Sequence, residues 1–133
     1  PSIPGDPDEL IQAIQNLVGN AIKYSPEESE VRVTFERIAD PVACREHLPG
    51  MRGAKAMVAI SVIDHGEGIA REHIPRLTER FYRVDAARSR EMGGTGLGLA
   101  IVKHIANRHR GSLEIDSTVG QGSAFTLYLP AEG

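Results

Sequence analysis

Three closely spaced glycines lead into an apolar helical pattern within residues 93–102, and this stretch carries the strongest chemical signal in the chain. Gly94, Gly96 and Gly98 let backbone amides approach a ligand closely and adopt positive φ angles at little cost. The helix that follows adds unpaired amide donors and the positive end of its macrodipole. This combination favours a bound anion, most often a phosphate. The stretch lacks the Gly-x-x-x-x-Gly-Lys-Ser/Thr pattern of a P-loop and the preceding strand of a Rossmann fold.

Two asparagines on the first predicted helix form a second polar cluster. Asn16 and Asn20 are four residues apart, so they lie one above the other on one helix face. Gln12 extends this row in one direction and Lys23 in the other, opposite the apolar residues. An asparagine oxygen is a hard ligand that suits Mg²⁺, and a lysine ammonium attracts phosphate oxygens. Amides placed by chance on the polar side of an amphipathic helix are the alternative explanation.

Asp64 stands at the end of a hydrophobic strand and directly before Gly66 and Gly68. A carboxylate in that place can accept a hydrogen bond inside a flat apolar slot, and the exocyclic amine of adenine is a suitable donor. The alternative is an aspartate that only closes a turn, because Asp-x-Gly is common in turns. Farther along the chain, Arg83 follows Tyr82 and can reach a nucleotide phosphate.

The elements that must position these side chains can be predicted from hydrophobic periodicity and capping residues. A helix is predicted at 7–24, because Asp6 suits its N-cap and Pro7 its first position. Strands are predicted at 31–38, 57–63, 112–117 and 123–129, helical turns at 71–81, and a second helix at 95–108 that Gly111 ends. Residues 39–54 are predicted to form a surface loop and residues 84–94 a mobile one. This order favours an α+β domain with helices over one face of a mixed or antiparallel sheet.

Length, charge and cysteine content limit the class of protein. The chain has 133 residues, which fits one domain, and its net charge of −3 gives little support for nucleic-acid binding. The single cysteine, Cys44, excludes an internal disulfide and suits a reducing compartment, where we expect it to be a loop or packing residue. No apolar run approaches the ~20 residues of a membrane helix, and the first residues do not resemble a signal peptide. We expect a domain from a longer protein.

Taken together, these motifs resemble the ATP-binding domain of sensor histidine kinases, in the order and at the distances typical of that family. Residues 16–24 resemble its N box, 64–69 its G1 box, 81–83 its F box, 94–99 its G2 box and 120–125 its final glycine turn. The likeness covers nearly the whole chain. Within the family, it is strongest to sensor kinases of the phosphate-regulon type.

The resemblance implies the Bergerat fold, a two-layer α/β sandwich in which helices cover one face of a mixed sheet of about five strands. A flexible lid at 84–94 would close over ATP. By matching positions, the resemblance implies an ATP site made of Asn16, Asn20, Lys23, Tyr24, Asp64, Gly66, Gly68, Ile69, Tyr82, Arg83, Gly94, Thr95, Gly96, Leu97, Gly98, Leu99 and Ser123.

The same match implies a role for several of these residues. Asn20 would coordinate Mg²⁺, while the catalytic groups Asn16, Lys23 and Arg83 would lie on the phosphate side. Asp64 would accept a hydrogen bond from the adenine amine. Tyr24 would line the nucleoside site, and Ser123 would support the base. ATP and Mg²⁺ are therefore the implied cofactors.

The residue at position 16 separates two reaction types. Related chaperone and topoisomerase ATPases have a glutamate where Asn16 stands, and an asparagine cannot act as a comparable general base. The resemblance therefore implies phosphoryl transfer to a histidine on a separate dimerisation domain, and from there to a response regulator. None of the five histidines has the His-Glu-x-x-x-Pro context of a phosphoacceptor, so this chain is not expected to autophosphorylate. His104 and His109 are predicted to be helix-surface residues.

The resemblance implies a cytoplasmic location, as part of a membrane-bound sensor. Two other functions remain open at this point. One is a degenerate domain that keeps the fold and uses it for protein contacts. The other is a related ATPase or serine kinase of the same fold.

Overall fold

Three α-helices and four strands make up the described part of the chain. The computed structural model describes residues 5–26, 29–48, 53–66, 68–79 and 98–131. The elements are α1 (Pro7–Tyr24), β1 (Arg32–Ile38), α2 (Pro41–His47), β2 (Met57–Asp64), a 3₁₀ helix (Arg71–Arg76), α3 (Gly98–Arg108), β3 (Ser112–Thr118) and β4 (Gly122–Pro130). The strands form one antiparallel sheet in the order β1-β2-β4-β3.

The strand register gives the sheet two distinct ends. At the first, which we call the Met57 end, Met57 lies opposite Ile38 on one side and Pro130 on the other. At the second, the Asp64 end, Asp64 lies opposite Ser123. Because β1 starts opposite Ile63, it runs from the Asp64 end to the Met57 end.

α1 and α3 cover one face of the sheet, which we call the helix face. Alternate residues of a strand point to the same face, so every second residue of β2 and β4 packs under these helices. The core formed in this way consists of Ala13, Leu17, Ala21, Val58, Ile60, Val62, Val102, Ile105, Ala106, Phe125, Leu127 and Leu129.

The start of α1 is joined to the end of α3 at the Met57 end. Asp6 is the N-cap of α1, and hydrogen bonds from the Glu9 and Asp8 amides hold the pKa of its carboxyl below the usual value. The Asp6 amide donates to His109 Nε2 at 3.0 Å, and Arg108 pairs with Glu9 at 2.9 Å. His109 is buried, so the prediction of a surface histidine is wrong. The reason is that its ring bonds two backbone groups, since Nδ1 also lies 2.8 Å from the Ile105 carbonyl oxygen.

The predicted loop at 39–54 contains a short helix, α2, so that part of the prediction is wrong. Asp40 caps the helix by accepting from the Val42 amide at 2.9 Å. Cys44 and Leu48 are buried against Met57, whose side chain points away from the helix face. A second helical layer therefore covers the other face of the sheet at the Met57 end, where the sequence predicted helices on one face only.

The predicted α+β sandwich is confirmed, with a difference in the sheet. The described residues form four strands that all pair antiparallel, where about five strands in a mixed sheet were predicted. The helix predicted at 7–24 and the closing β-hairpin are confirmed. No helix in the described part of the chain is both long enough and apolar enough to cross a membrane.

Candidate nucleotide-binding site

The Asp64 carboxylate is buried at the last position of β2. Only 7% of the residue is exposed, and its Oδ1 accepts from the Gly66 amide at 2.9 Å. No described residue donates to its second oxygen, Oδ2. The short bond to Gly66 fixes the orientation of the carboxylate, so that one acceptor oxygen remains for a partner from outside these residues.

The loop after Asp64 needs glycine because its backbone passes very close to the β3–β4 turn. Gly68 has φ +78°, and a Cβ there would lie 2.2 Å from the Thr118 carbonyl oxygen. The next residue, Ile69, donates its amide to Ser117 Oγ at 2.7 Å. The loop that carries Gly66, Gly68 and Ile69 is therefore held directly against the end of the hairpin.

Ser117 connects this loop to Ser123, the residue opposite Asp64. Its hydroxyl lies 2.8 Å from Ser123 Oγ and 3.0 Å from the Gly122 carbonyl oxygen. Gly122 also approaches β2 closely, since a Cβ there would be 2.1 Å from the Asp64 carbonyl oxygen. Ser117 was not among the predicted site residues, because a serine in a strand gives no sequence signal for a role that depends on the register with β4.

The asparagine row of α1 lies level with the first turn of α3. The helices run in opposite directions, and Glu9 is level with Arg108, to which it is paired. Asn20 follows Glu9 by eleven residues on α1, and Gly98 precedes Arg108 by ten residues on α3. At a helical rise of 1.5 Å per residue, both therefore lie about 15 Å along their helices from the Glu9–Arg108 pair. Asn20 and Gly98 consequently lie toward the same end of the sheet as Asp64.

Asn16 carries an unsatisfied donor in this arrangement. Its Nδ2 atom is buried and has no hydrogen-bond partner among the described residues. A buried amide without a partner costs about 1–3 kcal/mol, so it is expected to meet an acceptor. A phosphate oxygen, or a water molecule bound to the asparagine, would accept a hydrogen bond from Nδ2.

Several predicted site residues cannot be placed in this geometry. Tyr82, Arg83, Gly94, Thr95, Gly96 and Leu97 lie outside the described residues, as does the predicted lid at 84–94. Tyr24 is the last residue of α1 and Lys23 is exposed beside it. Gly98 and Leu99 open α3. The structure thus brings together Asp64, Gly66, Gly68, Ile69 and Ser123, and places Asn20 level with Gly98.

A cavity of about 370 Å³ lies at the other end of the molecule. Its lining includes Asp6, His109 and Pro130, which belong to the Met57 end. None of the predicted site residues lines it, so this cavity is separate from the candidate site.

Ser117 provides a test of whether the loop after Asp64 must be held in place. Ser117→Ala removes the acceptor of the Ile69 amide, which is worth about 1 kcal/mol, so we expect ATP affinity to fall about five-fold. Titration calorimetry with ATP measures this. The matched control is Ser112→Ala. Ser112 lies on the same strand as Ser117 but at the Met57 end, and the substitution removes its hydrogen bond to the His47 carbonyl oxygen. Equal ATP affinities of the two variants would contradict the role of Ser117.

The arrangement of these elements defines an ATPase-type α/β sandwich of the histidine kinase class. The mycobacterial sensor histidine kinase MprB superposes with a TM-score of 0.78 and 33% identity, over 98% of this chain and 77% of the MprB chain. The full-length ShkA structure, solved in complex with AMPPNP, superposes with a TM-score of 0.76 and 30% identity. That match covers the whole of this chain and 24% of the ShkA chain.

The chain belongs to the family described as histidine kinase-, DNA gyrase B-, and HSP90-like ATPases, whose sequence model matches residues 5–133. Among relatives, the phosphate regulon sensor protein PhoR of Pseudomonas aeruginosa is 48% identical over 98% of this chain. The sensor-like histidine kinase SenX3 of Mycolicibacterium smegmatis is 47% identical over 95%. The chain spans only 26% and 29% of the length of these two relatives.

Proposed function

We propose that this chain binds Mg²⁺-ATP and, in the whole protein, presents the γ-phosphate to a histidine on a separate dimerisation domain. The histidine would pass the phosphoryl group to a response regulator. In the first step, an imidazole nitrogen forms a bond to the γ-phosphorus while the bond from that phosphorus to the ADP oxygen breaks. We propose a cytoplasmic location, because the substrate is ATP.

The observation that carries the proposal is the buried, oriented carboxylate of Asp64. The Gly66 amide orients the carboxylate through one oxygen, and the other oxygen has no donor among the described residues. The adenine amine supplies the missing donor. Because the Gly66 bond fixes the carboxylate, this recognition needs no rearrangement when the base enters.

The asparagine row fits the phosphate end of the ligand. The partnerless Nδ2 of Asn16 can donate to a phosphate oxygen, and the amide oxygen of Asn20 can ligate Mg²⁺. The described residues contain no group of three or more His, Cys, Asp or Glu that could hold a metal by themselves. A site in which the amide oxygen of Asn20 is the protein ligand suits Mg²⁺, because this ion commonly takes much of its coordination from substrate phosphates and water.

Asn16 also favours transfer over hydrolysis. A hydrolase needs a base to activate water, and an amide side chain cannot take up the proton. Phosphoryl transfer asks the protein mainly to position ATP and neutralise its charge. These residues can position and bind, and the accepting imidazole comes from elsewhere in the protein.

Asn20→Ala tests the proposed metal ligand. We expect at least a 30-fold loss of ATP affinity in the presence of Mg²⁺, equivalent to about 2 kcal/mol. With EDTA the loss should shrink, because Asn20 acts through the metal. Calorimetry with ATP, with and without Mg²⁺, measures both values.

Gln12→Ala is the matched control, since Gln12 continues the same row and is exposed. It should leave both affinities unchanged. If the unmodified chain binds no nucleotide at millimolar concentration, it is a degenerate interaction module instead. If the whole protein yields an acid-stable phosphorylated residue, it is a serine kinase, because phosphohistidine is acid-labile.

A further inference from the structure

The buried ring of His109 connects α1 to α3 at the Met57 end of the sheet. The residue directly follows α3 and is 8% exposed. Its Nε2 atom accepts from the Asp6 amide at 3.0 Å, and its Nδ1 atom lies 2.8 Å from the Ile105 carbonyl oxygen. Because Asp6 caps α1 and Ile105 belongs to α3, one side chain holds the backbones of both helices.

The backbone that enters α1 lies directly on this ring. A Cβ atom at Gly5 would lie 2.3 Å from His109 Cδ2 and 2.6 Å from Nε2, so a larger residue would force the backbone and the ring apart. The Asp6 side chain accepts from the Asp8 amide at 2.9 Å and so caps the helix. The N-cap residue is therefore fixed through its carboxylate by the helix and through its amide by His109.

A second link between the helices lies beside this bond and is weaker. Arg108 pairs with Glu9 at 2.9 Å, but the side chain of Arg108 is 58% exposed. Ion pairs between long, exposed side chains contribute little to stability and do not hold one geometry. The hydrogen bond between the buried ring and the Asp6 amide lacks this freedom. His109 is therefore better suited than the ion pair to fix the position of α1 along α3.

The apolar contact between the helices does not set that position as sharply. Ala13 and Leu17 of α1 share a core with Val102 and Ala106 of α3. Hydrophobic attraction is non-directional, so it holds two helices together better than it fixes their shift along the axis. A hydrogen bond weakens steeply when its distance or angle changes.

The position of α1 along α3 matters for the candidate site. α1 is one uninterrupted helix from Pro7 to Tyr24, so a shift at its start moves Asn20 as well. Asn20 is level with Gly98, and a nucleotide that contacts both helices requires one relative position. A misplacement of about 1 Å in such a site can cost about 100-fold in rate.

We propose that His109 is a positioning residue for nucleotide binding, whose bond to the Asp6 amide sets the position of Asn20 relative to Gly98. This inference rests on the proposed function. The cavity of about 370 Å³ is lined by Asp6 and His109, so the start of α1 has room to move when the bond breaks. By linkage, ATP strengthens the Asp6–His109 bond by the same factor by which that bond strengthens ATP binding.

Asparagine and glutamine at position 109 separate the two bonds of the ring. The amide group of asparagine replaces Nδ1, so it keeps the bond to the Ile105 carbonyl and loses the bond to Asp6. The longer glutamine can place its oxygen where Nε2 stands, so it keeps the acceptor for the Asp6 amide. We expect ATP affinity to fall about 10-fold in His109→Asn and less than about 2-fold in His109→Gln, since one buried hydrogen bond separates them. Titration calorimetry measures both affinities.

Two further substitutions locate the effect. Glu9→Gln is the matched control, because it breaks the neighbouring ion pair and leaves His109 in place, so ATP affinity should stay within about 2-fold. Gly5→Ala leaves His109 unchanged and pushes the entering backbone off its ring, so affinity should fall about 10-fold. Combined with His109→Asn, Gly5→Ala should add no further loss, because both substitutions break the same bond.

Hydrogen exchange of the Asp6 amide tests the same coupling in the unmodified chain. Saturating ATP should slow the exchange of this amide about 10-fold, because the coupling between two sites is reciprocal. The slowing should persist in His109→Gln and be absent in His109→Asn.

Two results would overturn the proposal. The first is an equal ATP affinity of His109→Asn and His109→Gln, which would make the ring a structural contact only. The second is an Asp6 amide that exchanges equally fast with and without ATP. Either result leaves the proposed function intact, whereas an unmodified chain that binds no ATP would refute the proposed function and this inference together.

Discussion

Asp64→Asn is expected to lower ATP affinity at least about 300-fold while leaving the domain folded, since hydrogen bonds to a buried charged group are among the strongest. The substitution keeps the size of the side chain. Its Oδ1 can still accept from the Gly66 amide, as the aspartate does at 2.9 Å. The NH₂ group must then take the place of Oδ2. It would present a donor to the adenine amine, which is itself a donor.

The same geometry predicts a change in base preference. Inosine triphosphate has a carbonyl oxygen where ATP has its amine, so it should suit the asparagine and not the aspartate. We expect the preference for ATP over inosine triphosphate to fall at least about 100-fold in Asp64→Asn, because sites built for one hydrogen bond strongly reject its mismatch. Competition against a fluorescent nucleotide measures both ligands in one assay.

Asp116→Asn is the matched control for lost charge. Asp116 is an exposed aspartate on β3, and its substitution should change neither affinity nor preference. A uniform loss of affinity for both nucleotides in Asp64→Asn would mean that the carboxylate supports the loop and does not read the base. Unchanged ATP binding would remove Asp64 from the site altogether.

The elements with strong local signals could be predicted from the sequence. α1 begins after Asp6 as predicted, because one carboxylate and one proline specify the cap locally. β2 is a nearly continuous apolar run, which is typical of a central strand, and it lies between β1 and β4. The position of Asp64 at the end of this strand could be predicted in the same way, whereas its role in binding adenine stays a prediction.

α2 was missed although it begins like α1, with an aspartate cap at Asp40 followed by Pro41. Prolines and glycines on both sides favour a loop, and its seven residues are too few to show the periodicity that supported α1. The helix is stabilised by burial of Cys44 and Leu48 against Met57, which is distant in sequence. Such tertiary contacts outweigh weak local propensity.

The end of α3 shows how a correct residue can be predicted for the wrong reason. Gly111 was predicted to end the helix, and glycine commonly does so by taking the left-handed conformation just after the last turn. Arg110 takes the left-handed conformation instead, with φ +60°. Gly111 is the next residue, and its amide donates to the Ala106 carbonyl oxygen. Gly111 is required instead because a Cβ would lie 2.0 Å from the Tyr128 carbonyl oxygen. That contact depends on tertiary structure, so it gives no sequence signal.

Gly122→Ala is expected to destabilise the domain by roughly 3–4 kcal/mol, near the upper end for single substitutions. Gly122 has φ +118°, a conformation that other residues rarely adopt, and its added Cβ would lie 2.1 Å from the Asp64 carbonyl oxygen. β4 would have to move away from β2 at the residue proposed to bind adenine. Urea denaturation measures the free energy of unfolding, and calorimetry measures the accompanying loss of ATP affinity.

Gly120→Ala separates the two causes, because Gly120 lies in the same turn with φ +84° but has open space around its Cβ position. It should cost only the conformational penalty of about 1–2 kcal/mol and leave ATP affinity unchanged. The excess loss in Gly122→Ala then measures the close approach of β4 to Asp64. Equal losses of stability in the two variants would show that backbone conformation alone requires both glycines. β4 would then be free to shift without disturbing the Asp64 carboxylate.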